Sequence, residues 1–118
     1  MQKTQALTAL SAMANDQRLD LLRLLVPAGP DGLAAGEIAR ALGLSASRLS
    51  FHLAQLEQAG LVRSRKVARN VFYAADASTI GGVIGFVLHD CCQGHPEVRA
   101  CCQAGDRAAD LTVAAPES

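Results

Sequence analysis

Apolar residues recur at helical spacing along the first half of the chain. This period predicts two consecutive helices, one over residues 4–14 and one from Asp16 to about Val26, with apolar positions at Leu7, Leu10, Leu19, Leu22 and Val26. Asn15 is a good N-cap for the second helix. The run Pro27-Ala28-Gly29-Pro30-Asp31-Gly32 predicts the turn that ends it.

A third, short helix is predicted around Ile38 and Leu42, because Gly43 is a natural C-terminal signal. Ser45 then caps a fourth helix that continues to about Ala59. At 100° per residue, its three leucines fall on one face, and the other side carries small, polar or exposed residues. The leucines are Leu49, Leu53 and Leu56; the opposite face and its flanks hold Ser47, Arg48, Ser50, Phe51, Ala54 and Gln55. Two helices joined by a tight glycine turn are typical of a helix-turn-helix.

The segment after the fourth helix predicts a β-hairpin. Residues 61–66 and 70–74 resemble two strands, joined by the short polar loop Val67-Ala68-Arg69. Alanine and leucine are abundant and aromatic residues make up 3% of the chain, which favours a mainly helical fold. The predicted class is therefore mainly α with a small β-hairpin, that is, a winged helix-turn-helix.

The net charge of zero hides a segregation of charges. Residues 48–70 contain five cations and one acid, whereas the residues from 71 onward contain two cations and six acids. A local cationic surface on a neutral chain is typical of a protein that binds nucleic acid. A solvated basic hairpin would give the same pattern.

Several classes of protein are disfavoured by what the sequence does not contain. It has no run of about 18 apolar residues and no signal-peptide pattern, so we expect a cytoplasmic protein with no membrane partner. No nucleophilic triad, phosphate loop or carboxylate pair stands out, so we do not expect an enzyme. Residues 104–118 are rich in Ala and Asp, which predicts one domain over residues 1–103 followed by a disordered tail.

All four cysteines lie in the twelve-residue run 91–102, as two adjacent pairs. Cysteines used as small hydrophobic residues would be scattered along the chain. Clustered thiols can instead bind a soft electrophile, bind a metal or form a disulfide. Gly94 and Pro96 interrupt the helix between the pairs, so the chain can turn back and bring them together.

Four stretches of the sequence carry a family resemblance: residues 10–19, 41–53, 56–63 and 71–73. In this order and spacing, the chain closely resembles the ArsR/SmtB family of bacterial winged-helix metalloregulators, and within it the arsenic-responsive repressors. The resemblance implies a homodimer, paired through the first and last helices, that binds double-stranded operator DNA and represses transcription until an inducer releases it.

The resemblance also implies which residues contact DNA. The fourth helix would be the recognition helix, with contacts near Ser47, Arg48, Ser50 and His52. His52 borders the leucine stripe, so a structural hydrogen bond is an equal alternative for it. Phe51 stands where many relatives carry His, and it would touch a thymine methyl group or pack against a neighbour. Gln55 lies on the same face, and the hairpin cations would bind phosphates: Arg63, Arg65, Lys66 and Arg69.

The last helix predicted before the cysteines has an apolar stripe of its own. After Asp76, a candidate cap, the stripe consists of Ile80, Val83, Ile84, Val87 and Leu88. Glycines beside it would permit the close approach of another helix. We expect a dimer seam here, with burial inside the monomer as the alternative.

The choice of inducer also rests on resemblance. The best-known arsenite site of the family is a Cys-Val-Cys element, and Ala34 and Gly36 replace its thiols here. The zinc pattern of Asp and His along the last helix is not met either. The cysteine run resembles a subgroup with its arsenic site at the C-terminal end of the dimer helix. The expected inducer is As(III), or Sb(III), bound by Cys91 and Cys92 with Cys102 or Cys101 as the third thiolate.

Two alternatives to arsenic stay open at this point. Four thiols, or three thiols with a histidine, would satisfy zinc or cadmium, and the run offers His89, Asp90, His95 and Glu97 as further donors. A disulfide between the two cysteine pairs would instead make the chain a thiol-redox switch.

Overall fold

The computed structural model describes the backbone of residues 1–111 and the side chains of residues 1–103. Its elements are α1 (Lys3–Met13), α2 (Asp16–Ala28), β1 (Leu33–Ala34), α3 (Ala35–Leu42), α4 (Ala46–Gln58), β2 (Val62–Val67), β3 (Asn70–Ala75), α5 (Ala77–Gly85), a π-helical segment (Phe86–Cys91) and α6 (Pro96–Leu111). The chain divides into two compact units, one of Met1–Val83 and one that begins at Ile84. Among the described residues, no helix combines the length and the apolarity needed to cross a bilayer.

The core of the first unit is built from leucines of α2 and α4, closed by Ile38 of α3 and Val62 of β2. The predicted leucine stripe of α4 is confirmed, because Leu49, Leu53 and Leu56 are all buried. Helix α1 contributes alanines, and its two leucines, Leu7 and Leu10, are exposed. The small alanine side chains allow α1 to lie close to the core while its larger apolar residues remain on the surface.

Of the three apolar positions that recur at helical spacing in the sequence of α2, only Leu22 is buried. The structure buries Leu21, Leu22 and Leu25, and it leaves Leu19 and Val26 exposed. Apolar residues occupy six positions between 19 and 26, so more than one face of this helix has the right period. Packing against α3 and α4 selects among these faces. The helix also continues through Ala28, two residues beyond its predicted end at Val26.

The predicted hairpin is confirmed, and it belongs to a three-stranded antiparallel sheet in the order β1-β3-β2. Val67 pairs with Asn70, so the hairpin loop consists of Ala68 and Arg69 alone. Ala68 adopts a left-handed conformation with φ of 56°. Strand β1 was not predicted from the sequence, since two residues are too few to show a strand period.

Helix α5 begins at the predicted cap. The Asp76 carboxylate accepts hydrogen bonds from the Thr79 N–H (3.1 Å) and the Ser78 hydroxyl (2.8 Å). These bonds, chiefly the one from Ser78, hold the pKa of Asp76 below its ordinary value. Val83 is buried in the core of the first unit and Ile80 packs against that core, so the monomer uses this part of the stripe itself.

The second unit contains a helix that the sequence reasoning missed. The predicted break in the helix is confirmed, since the π-helical segment ends at Cys91 and Gln93 and Gly94 are both left-handed. The chain then enters α6, which runs to Leu111 and so does not end at the predicted domain boundary of residues 103–104. Residues 112–118 of the predicted tail lie outside the described residues, and their disorder stays a prediction.

Gly32 provides a test of the sheet. It has a φ of 72°, and a Cβ placed there would overlap the backbone carbonyl of Tyr73 on β3. Gly29 has a similar φ of 78° but open space around it, so it is a matched control. We expect Gly29→Ala to cost about 1–3 kcal/mol of unfolding free energy, because its backbone (φ 78°, ψ −169°) lies in a region that is essentially restricted to glycine. Gly32→Ala should cost about 1–3 kcal/mol more, because β1 must move away from β3.

Urea unfolding of both variants at one protein concentration measures this difference. Equal losses of stability would contradict the close approach of Gly32 to β3.

Candidate nucleic-acid interface and cysteine cluster

The turn between α3 and α4 is fixed by two local features. Gly43 ends α3 in a left-handed conformation with φ of 65°, which glycine adopts at little cost. The Ser45 hydroxyl then accepts a hydrogen bond from the Arg48 N–H at 3.2 Å and caps α4. The glycine conformation and the cap join α3 to α4 through a tight turn, so the helix-turn-helix predicted from the sequence is present.

The outer face of α4 carries five of the ten residues predicted to contact DNA. Ser47, Arg48, Ser50 and Phe51 are exposed, and Gln55 is half-buried. Phe51 is 57% exposed, an unusual position for a large aromatic side chain. This face therefore combines small polar groups, one cation and one apolar ring.

His52 does not belong to that face. It is only 6% exposed, and both of its ring nitrogens are engaged by α2. The Nδ1 atom lies 3.2 Å from an Nη1 atom of Arg18, and Nε2 lies 2.6 Å from Oε1 of Gln17. Because arginine only donates, Nδ1 must be the acceptor and Nε2 must carry the proton. The structural alternative for His52 is the one that this geometry supports.

The surroundings of His52 favour its neutral form. Burial lowers the pKa of the imidazole, and the charges of Arg18 and Arg48 lower it further. A protonated ring would also turn an N–H on Nδ1 toward the Arg18 guanidinium, where an acceptor is needed.

The contacts of Arg18 and Gln17 to the recognition-helix candidate were not predicted from the sequence. Besides its contact to His52, the Arg18 Nε donates to the carbonyl oxygen of Ala12, near the end of α1, at 2.6 Å. A signal for this role was present: Arg18 shares a helix face with Leu21, Leu22 and Leu25, so it lies on the buried side of α2. A cation on such a face needs partners.

The wing, formed by β2 and β3, holds two of its cations against its own chain. Nε of Arg63 lies 3.7 Å from an Asp76 oxygen, and Arg65 donates to the Asp31 carbonyl at 3.1 Å. The Arg65 guanidinium also stacks 5.0 Å from the centre of the Phe72 ring. Both arginines stay exposed, but their side chains are oriented by these contacts.

Lys66 and Arg69 differ from those two arginines. Both are exposed near the hairpin loop, and no ion pair or side-chain hydrogen bond engages them within the described residues. They are the most available cations of the wing for an external anion.

In the second unit, Cys91 and Cys92 precede the turn at Gln93 and Gly94, and Cys101 and Cys102 lie on α6. All four thiols are free, and three of them are exposed while Cys92 is half-buried. Burial raises the pKa of Cys92, as do the charge of the neighbouring Cys91 thiolate and a hydrogen bond between the two groups. Cys91 and Cys92 are therefore close enough to influence each other.

The structure brings this pair together but does not assemble a complete ligand set. Among the described side chains, no group of three or more His, Cys, Asp and Glu residues could hold a metal ion. His95 is already in use, since its Nδ1 accepts from the Glu97 N–H at 3.1 Å and caps α6. A third thiolate from Cys101 or Cys102 would require α6 to move or unwind.

Comparison with known proteins places this geometry in a family. A helix-turn-helix domain family matches residues 13–65. The transcriptional activator HlyU of Vibrio cholerae is 38% identical over 91 residues, which span 77% of this chain and 82% of HlyU. The regulator YgaV of Escherichia coli is 35% identical over 88 residues, 75% and 87% of the two chains. ArsR2 of Halobacterium salinarum, named for an arsenical resistance operon, is 38% identical over 73 residues, 62% and 60% of the chains.

Solved structures agree with the sequence relatives. Reduced HlyU from Vibrio cholerae superposes with a TM-score of 0.58 at 39% identity, covering 74% of this chain and 87% of that one. A homodimeric winged helix-turn-helix domain from Mycobacterium bovis superposes with a TM-score of 0.59 at 26% identity, covering 74% and 84%.

Fold and relatives together define a winged helix-turn-helix transcriptional regulator. The chain belongs to the ArsR family of these regulators.

The neutral state of His52 predicts how stability depends on pH. Its pKa is lowered on folding, so the unfolded chain binds more protons below the ordinary value of about 6.5. Neutral His52 therefore contributes to the free energy of unfolding. This contribution is fully present above about pH 6.5, and it is lost as the pH falls toward the folded pKa, by at most about 1.4 kcal/mol per pH unit for each subunit. His52→Asn should lack this contribution, because Asn keeps an acceptor near the Nδ1 position but does not titrate.

Urea unfolding of both proteins between about pH 7.5 and about pH 5.5 measures the difference, with the carboxylates common to both. A wild-type protein whose stability falls no faster than that of His52→Asn would show that the ring is not held neutral.

Proposed function

We propose that this chain is a DNA-binding repressor that is released from its operator by trivalent arsenic, or antimony, bound to its cysteine cluster (Cys91, Cys92, Cys101 and Cys102). The observation that carries the proposal is the adjacent pair Cys91–Cys92 at a chain reversal, with two further exposed thiols in the same compact unit. The regulatory class is that of the family; the operator contacts and the inducer are the proposal.

DNA is bound by α4 in the major groove and by the wing on the phosphates. Arg48 and the serines of α4 supply hydrogen-bond donors for base edges and backbone, and the exposed Phe51 ring contacts a thymine methyl group. Lys66 and Arg69 supply charge without sequence preference. Arg63 and Arg65 are held by their own chain, so their contribution to phosphate binding is smaller.

The repressor acts as a homodimer paired through α1 and the last helix before the cysteines. Leu7 of α1 is 55% exposed and Ile84 is 51% exposed, although both are large apolar residues on helices with a buried opposite face. Such residues are typical of a surface that is covered by another molecule. The Mycobacterium bovis structure is described as homodimeric. A two-fold dimer places two recognition helices about 34 Å apart, one helical turn of DNA.

Arsenic suits this cluster better than zinc does. As(III) is thiophilic and takes three thiolates in a pyramid, whereas zinc takes four ligands in a tetrahedron. When arsenous acid reacts with three thiols, three As–O and three S–H bonds break, three As–S bonds form and three waters leave, with no change in oxidation state. Cys91 and Cys92 are already adjacent, so one more thiol completes the set. A zinc site would need four donors, and His95 is engaged as a helix cap.

Capture of the third thiol supplies the coupling to DNA. Drawing Cys101 or Cys102 toward the pair rearranges the chain that follows the dimer helix and shifts the relative orientation of the two subunits. A tenfold loss of DNA affinity requires only about 1.4 kcal/mol, and release in cells about 3 kcal/mol. DNA must weaken inducer binding by the same factor.

A thiol-redox switch is the second candidate. All four thiols are free, and a disulfide between the two pairs would also draw α6 toward Cys91 and Cys92. The number of thiols required separates the two candidates, because arsenic needs three thiols and a disulfide needs two.

Release by arsenite tests the proposal directly. A fluorescently labelled duplex from the protein's own promoter is titrated with reduced protein, with and without micromolar arsenite, and its anisotropy gives the DNA affinity. We expect arsenite to weaken binding at least about tenfold, equal to about 1.4 kcal/mol of coupling. Cys91→Ser and Cys92→Ser should each abolish this response and leave the affinity without arsenite unchanged, since neither residue is in the DNA-binding surface.

Single Cys101→Ser and Cys102→Ser variants identify the third thiol, and the fourfold serine variant is the control for arsenite acting elsewhere. Release by zinc but not by arsenite would exclude the arsenic site. Release by peroxide alone, reversed by a reductant, would favour the redox switch.

The wing cations make a second prediction. Lys66→Ala and Arg69→Ala should each weaken binding to all duplexes alike and reduce the slope of log affinity against log salt by about 2, because each removes one phosphate contact from each subunit of the dimer. Arg63→Ala is the matched control, since its ion pair to Asp76 reduces its availability, and its slope should change less. Anisotropy titrations over a range of salt concentrations measure the slopes. A larger change for Arg63→Ala would reverse the proposed assignment.

A further inference from the structure

A continuous chain of hydrogen bonds connects the end of α1 to the recognition helix. It begins at the carbonyl oxygen of Ala12 and passes through the Arg18 Nε and Nη1 atoms to His52 Nδ1. On the far side of the ring, Nε2 donates to Gln17. The His52 ring also lies edge-on to Phe51, with ring centres 5.3 Å apart, so the buried network directly supports a residue of the exposed face.

We propose that Arg18, Gln17 and His52 are positioning residues for DNA binding: they hold the recognition helix against α1 and α2 only while His52 is neutral. The proposal rests on DNA binding through α4, as set out above. It assigns a role to a histidine that the family resemblance would place on the DNA itself.

The geometry makes His52 the one titratable member of this network. Arg18 stays charged at all accessible pH values, and Gln17 and the Ala12 carbonyl do not ionise. The charged groups that act on the ring are Arg18 of α2 and Arg48 of α4 itself, both cations. The helices packed against α4 also carry acids, namely Asp16 and Asp20 on α2 and Glu37 on α3. None of these forms an ion pair or hydrogen bond with His52 within the described residues.

Protonation of His52 removes the acceptor for Arg18 and places a third cation between Arg18 and Arg48. The ring must then rotate or leave its pocket, and the contact to Phe51 changes with it. The expected effect on DNA binding is opposite to that of a histidine on a phosphate, which binds more tightly when it is protonated. If the DNA-bound form requires neutral His52, the affinity falls by up to about tenfold per pH unit for each subunit below the pKa of the free protein, or about a hundredfold for the dimer, because one proton per subunit must be released.

Two variants separate this role from a merely structural one. His52→Asn keeps an acceptor for Arg18 but cannot titrate. Gln17→Glu is a change at a half-buried position that places a carboxylate against Nε2, which should raise the pKa of His52. His89 and His95, the other two histidines, are common to all three proteins and cancel in the comparison.

The experiment is anisotropy with promoter DNA from about pH 8 to about pH 5.5, each protein being compared with its own affinity at about pH 8. We expect the wild type to lose affinity in the acid range, His52→Asn to lose at least threefold less, and Gln17→Glu to begin its loss at a higher pH than the wild type. Nitrogen-15 NMR of the histidine rings should show His52 protonated at Nε2 and its pKa raised in Gln17→Glu.

Superimposable pH profiles of the wild type and Gln17→Glu, with the His52 pKa raised in the variant, would overturn the inference alone. If His52→Asn does not fold, the comparison of the wild type with Gln17→Glu still tests the inference. A wild-type protein that binds its promoter DNA but ignores arsenite would overturn the proposed inducer and leave the inference standing. A wild-type protein that binds no promoter duplex would overturn both.

Discussion

The burial of one face of α4 is the constraint on which the other features depend. Leu49, Leu53 and Leu56 fix the rotation of the helix about its own axis, because any other rotation would expose them to water. That rotation presents Ser47, Arg48 and Phe51 to the outside. It also places His52 at the border of the apolar stripe, where it must find buried partners. The exposed face that we propose to bind DNA and the buried polar network thus both follow from this one rotation of α4.

The cations of the wing likewise fall into two groups, those that contact their own chain and those that do not within the described residues. Arg63 and Arg65 alternate with Ser64 and Lys66 along β2, so the two arginines share one side of the strand. On that side they contact Asp76, Asp31 and Phe72 of their own chain. Lys66 and Arg69 have no such contact within the described residues. A count of basic residues therefore overstates how many wing cations lack a partner in the part of the chain that the structure describes.

The cysteine cluster is adjacent in sequence but only half assembled in the structure. Cys91 and Cys92 form a pair, whereas Cys101 and Cys102 belong to a helix of their own. Under the proposed function, a ligand that binds thiols of both pairs requires an arrangement different from this one, so its binding favours another conformation of the segment.

The sequence by itself determined the helix-turn-helix, the hairpin and the clustering of thiols, since helical period, capping residues and glycine turns are encoded locally. The face of α2 that is buried, the engagement of His52 by Arg18 and the capture of Arg63 and Arg65 by their own chain were decided only by the tertiary structure. So were the strand β1 and the separation of the two cysteine pairs. The physical reason is the same throughout: a local pattern records which side chains can share a face, but which face meets a partner far along the chain is set by the free energy of packing all elements together.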